Sequence, residues 1–359
     1  MNTRSAGIAG AMLIALLAQT AYTANLDSTG DDLSPPVETA AALWEFEPNA
    51  YVSEALDFIE ANGLYLEDID WPAVRERALE QTAGAKSPDE TYPALKEVID
   101  LAGGRHSALR EPTPNPPGYS FIHTPEAELL GDGVAVLNIP AFRSPRPEHI
   151  EEYAEAGWDE IARLSAETQC GWIVDVRENY GGNMLPMISA VTPLLPEGTL
   201  MQFIDRDGNS SAVAARDGGI FQNGEYQAGA SSRAADMSHL PVAVLQSGST
   251  AGSAEAVVIT FMSRDGVRTF GADTAGLSTG NVTKTMPDGA VLRVTRAYMA
   301  NSSGVPADGA LPVHTASDDP LSAATEWLRE TCEMVRASRA AREAVRRRRD
   351  RRPAPRRGW

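Results

Sequence analysis

The stretch "VLQSGSTAGSAEAVVITF" (244–261) constrains the fold of this chain more than any other: an apolar strand passes through a turn of small residues straight into an apolar helix. The same grammar recurs. "GVAVLNIPAF" (133–142) precedes a helix over about 147–166, and "GWIVDVRENYGG" (171–182) precedes one from about Met184. Residues 200–240 are polar and read as short strands and loops, "GVRTFGA" and "GAVLRVTRAYMAN" as further strands, and "DDPLSAATEWLRETCEMVRAS" as a closing helix. Strands alternating with helices predict an α/β domain with largely parallel strands. There is no internal repeat.

Ahead of this alternation the pattern is helical. In "PNAYVSEALDFIEANG" the residues Val52, Ala55, Leu56 and Ile59, with Leu64 beyond, fall near a 3.6-residue period. Asp70 and Pro72 mark a second helix start, Ser87 and Pro88 a third, and Gly103-Gly104 an end. The expected organisation is a signal peptide (1–24), a polar linker (25–40), a helical subdomain (41–112), an α/β domain (118–332) and a disordered Arg-rich tail (336–359). "PTPNPPG" (112–118) forms the boundary between the helical and α/β parts.

Charge narrows the partners. The 359 residues carry 31 basic and 49 acidic groups, net −18, and 11 of the arginines lie between Arg336 and Trp359. The body before that tail is therefore more acidic still, with 20 basic and 47 acidic residues. It repels nucleic acid and anionic membrane surfaces. The apolar run from about Ile8 to Ala18 has the length of a signal-peptide core and is too short to span a bilayer, so export is expected, with an uncleaved signal anchor as the alternative. The two cysteines, Cys170 and Cys332, lie 162 positions apart, and spacing alone leaves their pairing open. No Cys/His cluster has metal-ligand spacing, so neither metal nor cofactor is expected.

The hydroxyls of Ser247, Ser249, Thr250 and Ser253 could cap the helix or supply a nucleophile. Nucleophilic chemistry also needs a base and oxyanion donors. Of the five histidines, His106 stands out, because "LAGGRHSAL" places it just beyond a helix ending in two glycines. "VDVRENYGGN" brings Asp175, Arg177, Asn179 and Gly181-Gly182 to the C-terminal end of a strand, where α/β domains bind ligands.

Taken together, three segments resemble the tail-specific (C-terminal processing) serine peptidases. "GWIVDVRENYGGNMLPMISAVTPLLPEG" resembles their Asp-Leu-Arg-x-Asn-x-Gly-Gly segment, "TAGSAEAVVITF" their nucleophile helix, and "GADTAGLSTGN" the segment after it. "GRHSAL" resembles the histidine motif of the branch that includes tricorn protease and the nisin-resistance protease, and residues 51–95 are similar to its helical leader. The resemblance spans roughly residues 45–330 in the family's order. It implies a ClpP/crotonase-like α/β core with an N-terminal helical subdomain and no cofactor. Leu277 stands where Ser–Lys members carry lysine, and the interval between Arg110 and Gly133 is too short for a PDZ domain, which leaves a Ser–His mechanism.

That resemblance implies Ser253 as nucleophile and His106 as base. Ala254, Gly181 and Gly182 would supply or shape the oxyanion site, and Ser107 and Glu255 would orient the base. Asp175 and Arg177 would brace the strand end. One departure stands out: an ungapped match puts Gly252, not a serine, in the family's nucleophile slot, and a one-residue shift turns a helical side chain by about 100°. The expected activity is exported hydrolysis of peptide bonds near C-termini of peptides or proteins. The alternative is a catalytically silent peptide-binding relative.

Overall fold

The computed structural model describes residues 44–113, 122–230, 236–307 and 309–350. The expected signal peptide and linker, and most of the proline-rich boundary, lie outside the described residues. From Glu45 onward the chain forms one compact unit, so the helical leader and the α/β part are not separate bodies.

The leader is three helices, α1 (Pro48–Asn62), α2 (Trp71–Thr82) and α3 (Tyr92–Gly103). Asp70 caps α2 by accepting the Ala73 amide at 3.3 Å, and Ser87-Pro88 opens a 3-10 turn that feeds α3. Gly104 ends α3 at φ 60°, a left-handed conformation that a side chain would resist. Val52, Ala55, Leu56 and Ile59 are all fully buried. They pack not against the parallel sheet but with Leu95, Ile99, Leu292 and Val294 in a core of their own. Asp288 ties the two sides together, accepting from the hydroxyls of Tyr51 at 3.1 Å and Tyr92 at 2.5 Å.

Two sheets follow. The first contains β2 (Glu126–Gly131), β3 (Val134–Asn138), β4 (Gly171–Asp175), β9 (Val242–Gln246), β10 (Val267–Gly271) and β13 (Thr315–Ala316) in the order β13-β10-β9-β4-β3-β2. All its pairings are parallel except β2–β3. Helices α4 (Pro147–Leu164), α5 (Met184–Ala190) and α6 (Ser253–Met262) pack with it in the largest core, and α7 (Pro320–Asp350) contributes to the core on Ile173, Leu245 and Phe270.

The second sheet is antiparallel, which corrects the expectation of largely parallel strands. It joins β1 (Ala108–Arg110), β12 (Val291–Asn301), β5 (Gly198–Asp205), β6 (Ser210–Arg216), β7 (Gly219–Gln222) and β8 (Glu225–Gly229), with β11 (Thr279–Thr285) also on β12. Short polar segments joined by tight turns favour hairpins rather than crossovers.

Two features concern the C-terminal part. Cys170, ahead of β4, is disulfide-bonded to Cys332 on α7, with Cα atoms 5.0 Å apart. Helix α7 continues to Asp350, so the expected disorder from residue 336 does not hold that far; residues 351–359 lie outside the described residues. Between 336 and 350 the composition is mostly Ala and Arg, both strong helix formers, and propensity outweighs the like charge. Among the described residues no helix is long and apolar enough to cross a membrane, and no group of side chains could hold a metal ion.

Candidate active site

Because β4 and β9 are parallel neighbours, the turns leaving their C-terminal ends meet. Most of the hydroxyls in the 247–253 turn fasten that junction. Thr250, fully buried, donates from Oγ1 to Val176 O at 2.9 Å and accepts the Ser247 amide. Ser247 Oγ donates to Arg177 O at 2.6 Å. Asn179, buried at the centre, donates to Ile139 O and accepts the Gly181 amide at 2.9 Å, while its carbonyl receives the Ala251 amide. Asp175 and Arg177 form an ion pair at 2.6 Å at the end of β4.

Gly252 is the N-cap of helix α6, and Ser253 is its first helical residue. Gly252 has φ 56° and ψ −111°. A side chain held there would be strained, as a nucleophile on a sharp strand-to-helix turn is. Glu255, with no solvent exposure, fixes this start: its carboxylate accepts the amides of Gly252 (2.8 Å), Gly276 (2.9 Å) and Leu277 (2.8 Å) and the Thr274 hydroxyl (2.5 Å). Burial raises its pKa, against four donors that favour the carboxylate. Glu255 therefore holds the helix start to the 274–277 loop rather than orienting a histidine.

His106 arrives from the leader on the 3-10 turn Gly104–His106. The neighbouring Arg105 guanidinium locks that turn onto the same loop through the carbonyls of Ala275 and Gly276, at 3.2 and 3.1 Å. Its Nδ1 lies 2.8 Å from Thr279 Oγ1. Thr279 can accept from Nδ1–H, the tautomer that leaves Nε2 bare as a proton acceptor. Burial, then the charge of Arg293, lowers the His106 pKa to about 4, so the ring is neutral at physiological pH. A Cβ added at Gly252 would meet only His106, at 3.5 Å from Cε1 and 3.6 Å from Nε2. One bond farther out, a hydroxyl at 252 would be within hydrogen-bond reach of Nε2.

The structure brings His106 and the start of α6 together, and it places the other expected residues as follows. Ser253 is the first helical residue, and its Oγ donates to Gly182 O at 2.6 Å. The Ala254 amide, expected as an oxyanion donor, instead donates to Ala251 O at 3.1 Å and is spent. The amide that opens the helix beside Gly181 is that of Ser253, 3.3 Å from where a Gly181 Cβ would lie. Gly181 and Gly182 have φ of 92° and 136°, so both depend on lacking a side chain. Ser107 is no orienter: buried, it bonds the Thr295 hydroxyl at 3.1 Å and accepts the Thr295 amide at 2.8 Å. Thr279 takes the orienting place. It lies within the matched segment "GADTAGLSTGN", but a contact spanning 173 positions has no local signal.

Comparisons with known proteins identify the family. Residues 133–311 match peptidase family S41. The nisin-resistance protein of Lactococcus lactis is 30% identical over 288 residues, 79% of this chain and 87% of that protein. A lipoprotein from Streptococcus agalactiae superposes with a TM-score of 0.65 at 24% identity, covering 80% of this chain and 98% of that one. The photosystem II D1 C-terminal processing protease shares the fold at a TM-score of 0.53 and 14% identity, over 76% of this chain and 94% of its own. The chain therefore belongs to peptidase family S41, and with it to the serine-type peptidases.

Proposed function

We propose that this protein is an exported peptidase that engages extended peptides or protein tails at the β4–β9 strand ends and acts near their C-termini by a Ser–His mechanism. The observation that carries the reading is His106: neutral, braced through Nδ1 by Thr279, and facing the start of α6. Export draws support from the Cys170–Cys332 disulfide, a bond that persists in oxidising compartments, and from a relative described as a lipoprotein. In the reaction, Ser253 Oγ leaves Gly182 O and attacks the substrate carbonyl carbon. His106 Nε2 takes the hydroxyl proton and returns it to the leaving amine, and water then releases the acyl group by the same route. The Ser253 and Gly182 amides, beside the positive end of α6, are the groups suited to hold the oxyanion. Turning Ser253 toward His106 gives up one hydrogen bond, a net cost of about 1 kcal/mol.

Gly252 favours a second reading, in which the cleft binds peptide without cleaving it, because the position facing His106 has no hydroxyl. A serine-directed fluorophosphonate separates the two. Under the first, the wild-type protein is labelled and Ser253→Ala is not. Under the second, the wild-type protein is inert, and Gly252→Ser becomes labelled while losing about 1–3 kcal/mol of stability to backbone strain. Gly252→Ala should suffer the same loss and stay unlabelled.

A further inference from the structure

We infer that the segment Ala275-Gly276-Leu277 is a two-sided clip that sets the distance between His106 and the start of α6, with Arg105 as its positioning residue; the inference rests on the reading of His106 as base. His106 comes from the leader and α6 from the α/β part, and both are fastened to this one segment. Its three amides all serve the α6 side. Ala275 N donates to Thr250 O at 3.0 Å, and the amides of Gly276 and Leu277 donate to the Glu255 carboxylate at 2.9 and 2.8 Å. Its three carbonyls all serve the side of the base. Those of Ala275 and Gly276 accept from Arg105 Nη2 at 3.2 and 3.1 Å, and that of Leu277 accepts the amide of Thr279 at 2.8 Å. Thr279 is the residue whose hydroxyl meets His106 Nδ1.

The covalent geometry of the backbone makes this arrangement stiff. The peptide joining Ala275 to Gly276, and the next one joining Gly276 to Leu277, each bond Arg105 through oxygen and Glu255 through nitrogen. A trans peptide is planar and points its C=O and N–H in opposite directions. The two planes are therefore parallel struts between the guanidinium beside the base and the carboxylate that fixes the helix start. Each strut has a positive group at its oxygen end and the Glu255 carboxyl at its nitrogen end, so both of its hydrogen bonds are of the strong, charge-assisted kind. Gly276 permits the turn: its φ is 77°, and a Cβ there would lie 3.1 Å from Arg105 Nη2 and 2.9 Å from the Ala310 amide. On the far side of the histidine, Ser107 is bonded to Thr295 of β12. Arg105 supplies the opposing hold, and without it the turn is free to swing away from α6.

The test is nitrogen NMR of the full-length protein with isotope-labelled histidine rings at neutral pH, the His106 signals being identified by their loss in His106→Gln. In the wild-type protein Nδ1 should carry the proton and Nε2 should be bare. Arg105→Met, at an exposed position, should move both ring nitrogens toward the averaged signals of a freely solvated imidazole. It should also slow fluorophosphonate labelling about 10- to 100-fold, the scale of a misplacement near 1 Å. Arg105→Lys keeps the charge and a donor for the carbonyls, and should restore part of both. Arg105→Gln replaces the Met variant if that fails to fold, with changes in the same direction. A role in stability alone would lower the melting temperature of the Met variant and leave its ring signals unmoved. That result overturns the clip, and so does a wild-type ring that is already averaged. A wild-type protein inert to the label, with ring signals that respond as described, overturns the Ser–His reading while supporting the clip.

Discussion

His106 is the residue through which this site answers to pH. Its pKa of about 4 in the folded chain lies below the ordinary value near 6.5, because burial and Arg293 disfavour the imidazolium. As pH falls from about 6.5 to 4 the unfolded chain takes up this proton before the folded one, so the contribution is complete above the window, shrinks within it and is gone below it. The total is roughly 2–3 kcal/mol. Denaturant melts of wild-type protein and His106→Gln should therefore differ in slope between pH 6.5 and 4 and run parallel above pH 7. Parallel curves throughout would mean that the imidazole is not desolvated. Residue identity at the site was legible to different depths. The Gly252/Ser253 offset is visible from a one-position count, and so is the absence of lysine at Leu277. The roles of Thr279 and Arg293 were hidden, since each acts across more than 170 positions of sequence through a strand register that no local pattern encodes.

At the scale of elements, α6 depends on one carboxylate. Four donors converge on Glu255 where it has no exposure, and three of them are backbone amides that nothing else in the 274–277 loop or the helix start is placed to satisfy. Glu255→Leu strands those groups in a dry site, at about 1–3 kcal/mol for each. Glu255→Gln keeps the acceptor oxygen and should cost less. The expected outcome is a soluble but strongly destabilised Leu variant, with Gln intermediate, read by urea unfolding; equal stability of all three would show that water reaches the loop. The same helix explains which elements were readable. Those of the parallel layer are apolar runs (β3, β4, α5, β9 and α6) or a clearly amphipathic helix (α4), bounded by Gly, Pro or Asn, and they appear near the positions their patterns predict. The antiparallel sheet was not readable as a sheet. Its strands β1 and β11 are short or half-exposed, and they are strands because β12 pairs with them, not because of their own sequence.

At the scale of the whole molecule, the disulfide and the last helix divide the C-terminal part into what the fold needs and what it does not. Cys170 and Cys332 close a loop of 162 positions, and the chain-entropy relation gives roughly 5 kcal/mol of stabilisation for a loop of that length. Helix α7 packs into the core through Ala324, Leu328 and Cys332, with Leu321 and Trp327 beside them. Past that point it changes character: Met334 and Val335 are 65% and 62% exposed, and among the described residues none later joins a core cluster. The core contacts of α7 thus come from the stretch between Leu321 and Cys332. Truncation after Ser338 should therefore leave the thermal midpoint of the oxidised protein within a degree or two, because the side chains described beyond it, Ala340, Arg342 and Glu343, are exposed. Reduction of the full-length protein should lower the midpoint by about 10 °C or more, since each kcal/mol shifts a domain of this size by roughly 2–4 °C. The two effects should also combine simply: the truncated protein, once reduced, should melt where the reduced full-length chain does. A truncated protein that melts well below the intact one while its disulfide is whole would show that the arginine-rich end of α7 docks on the acidic body.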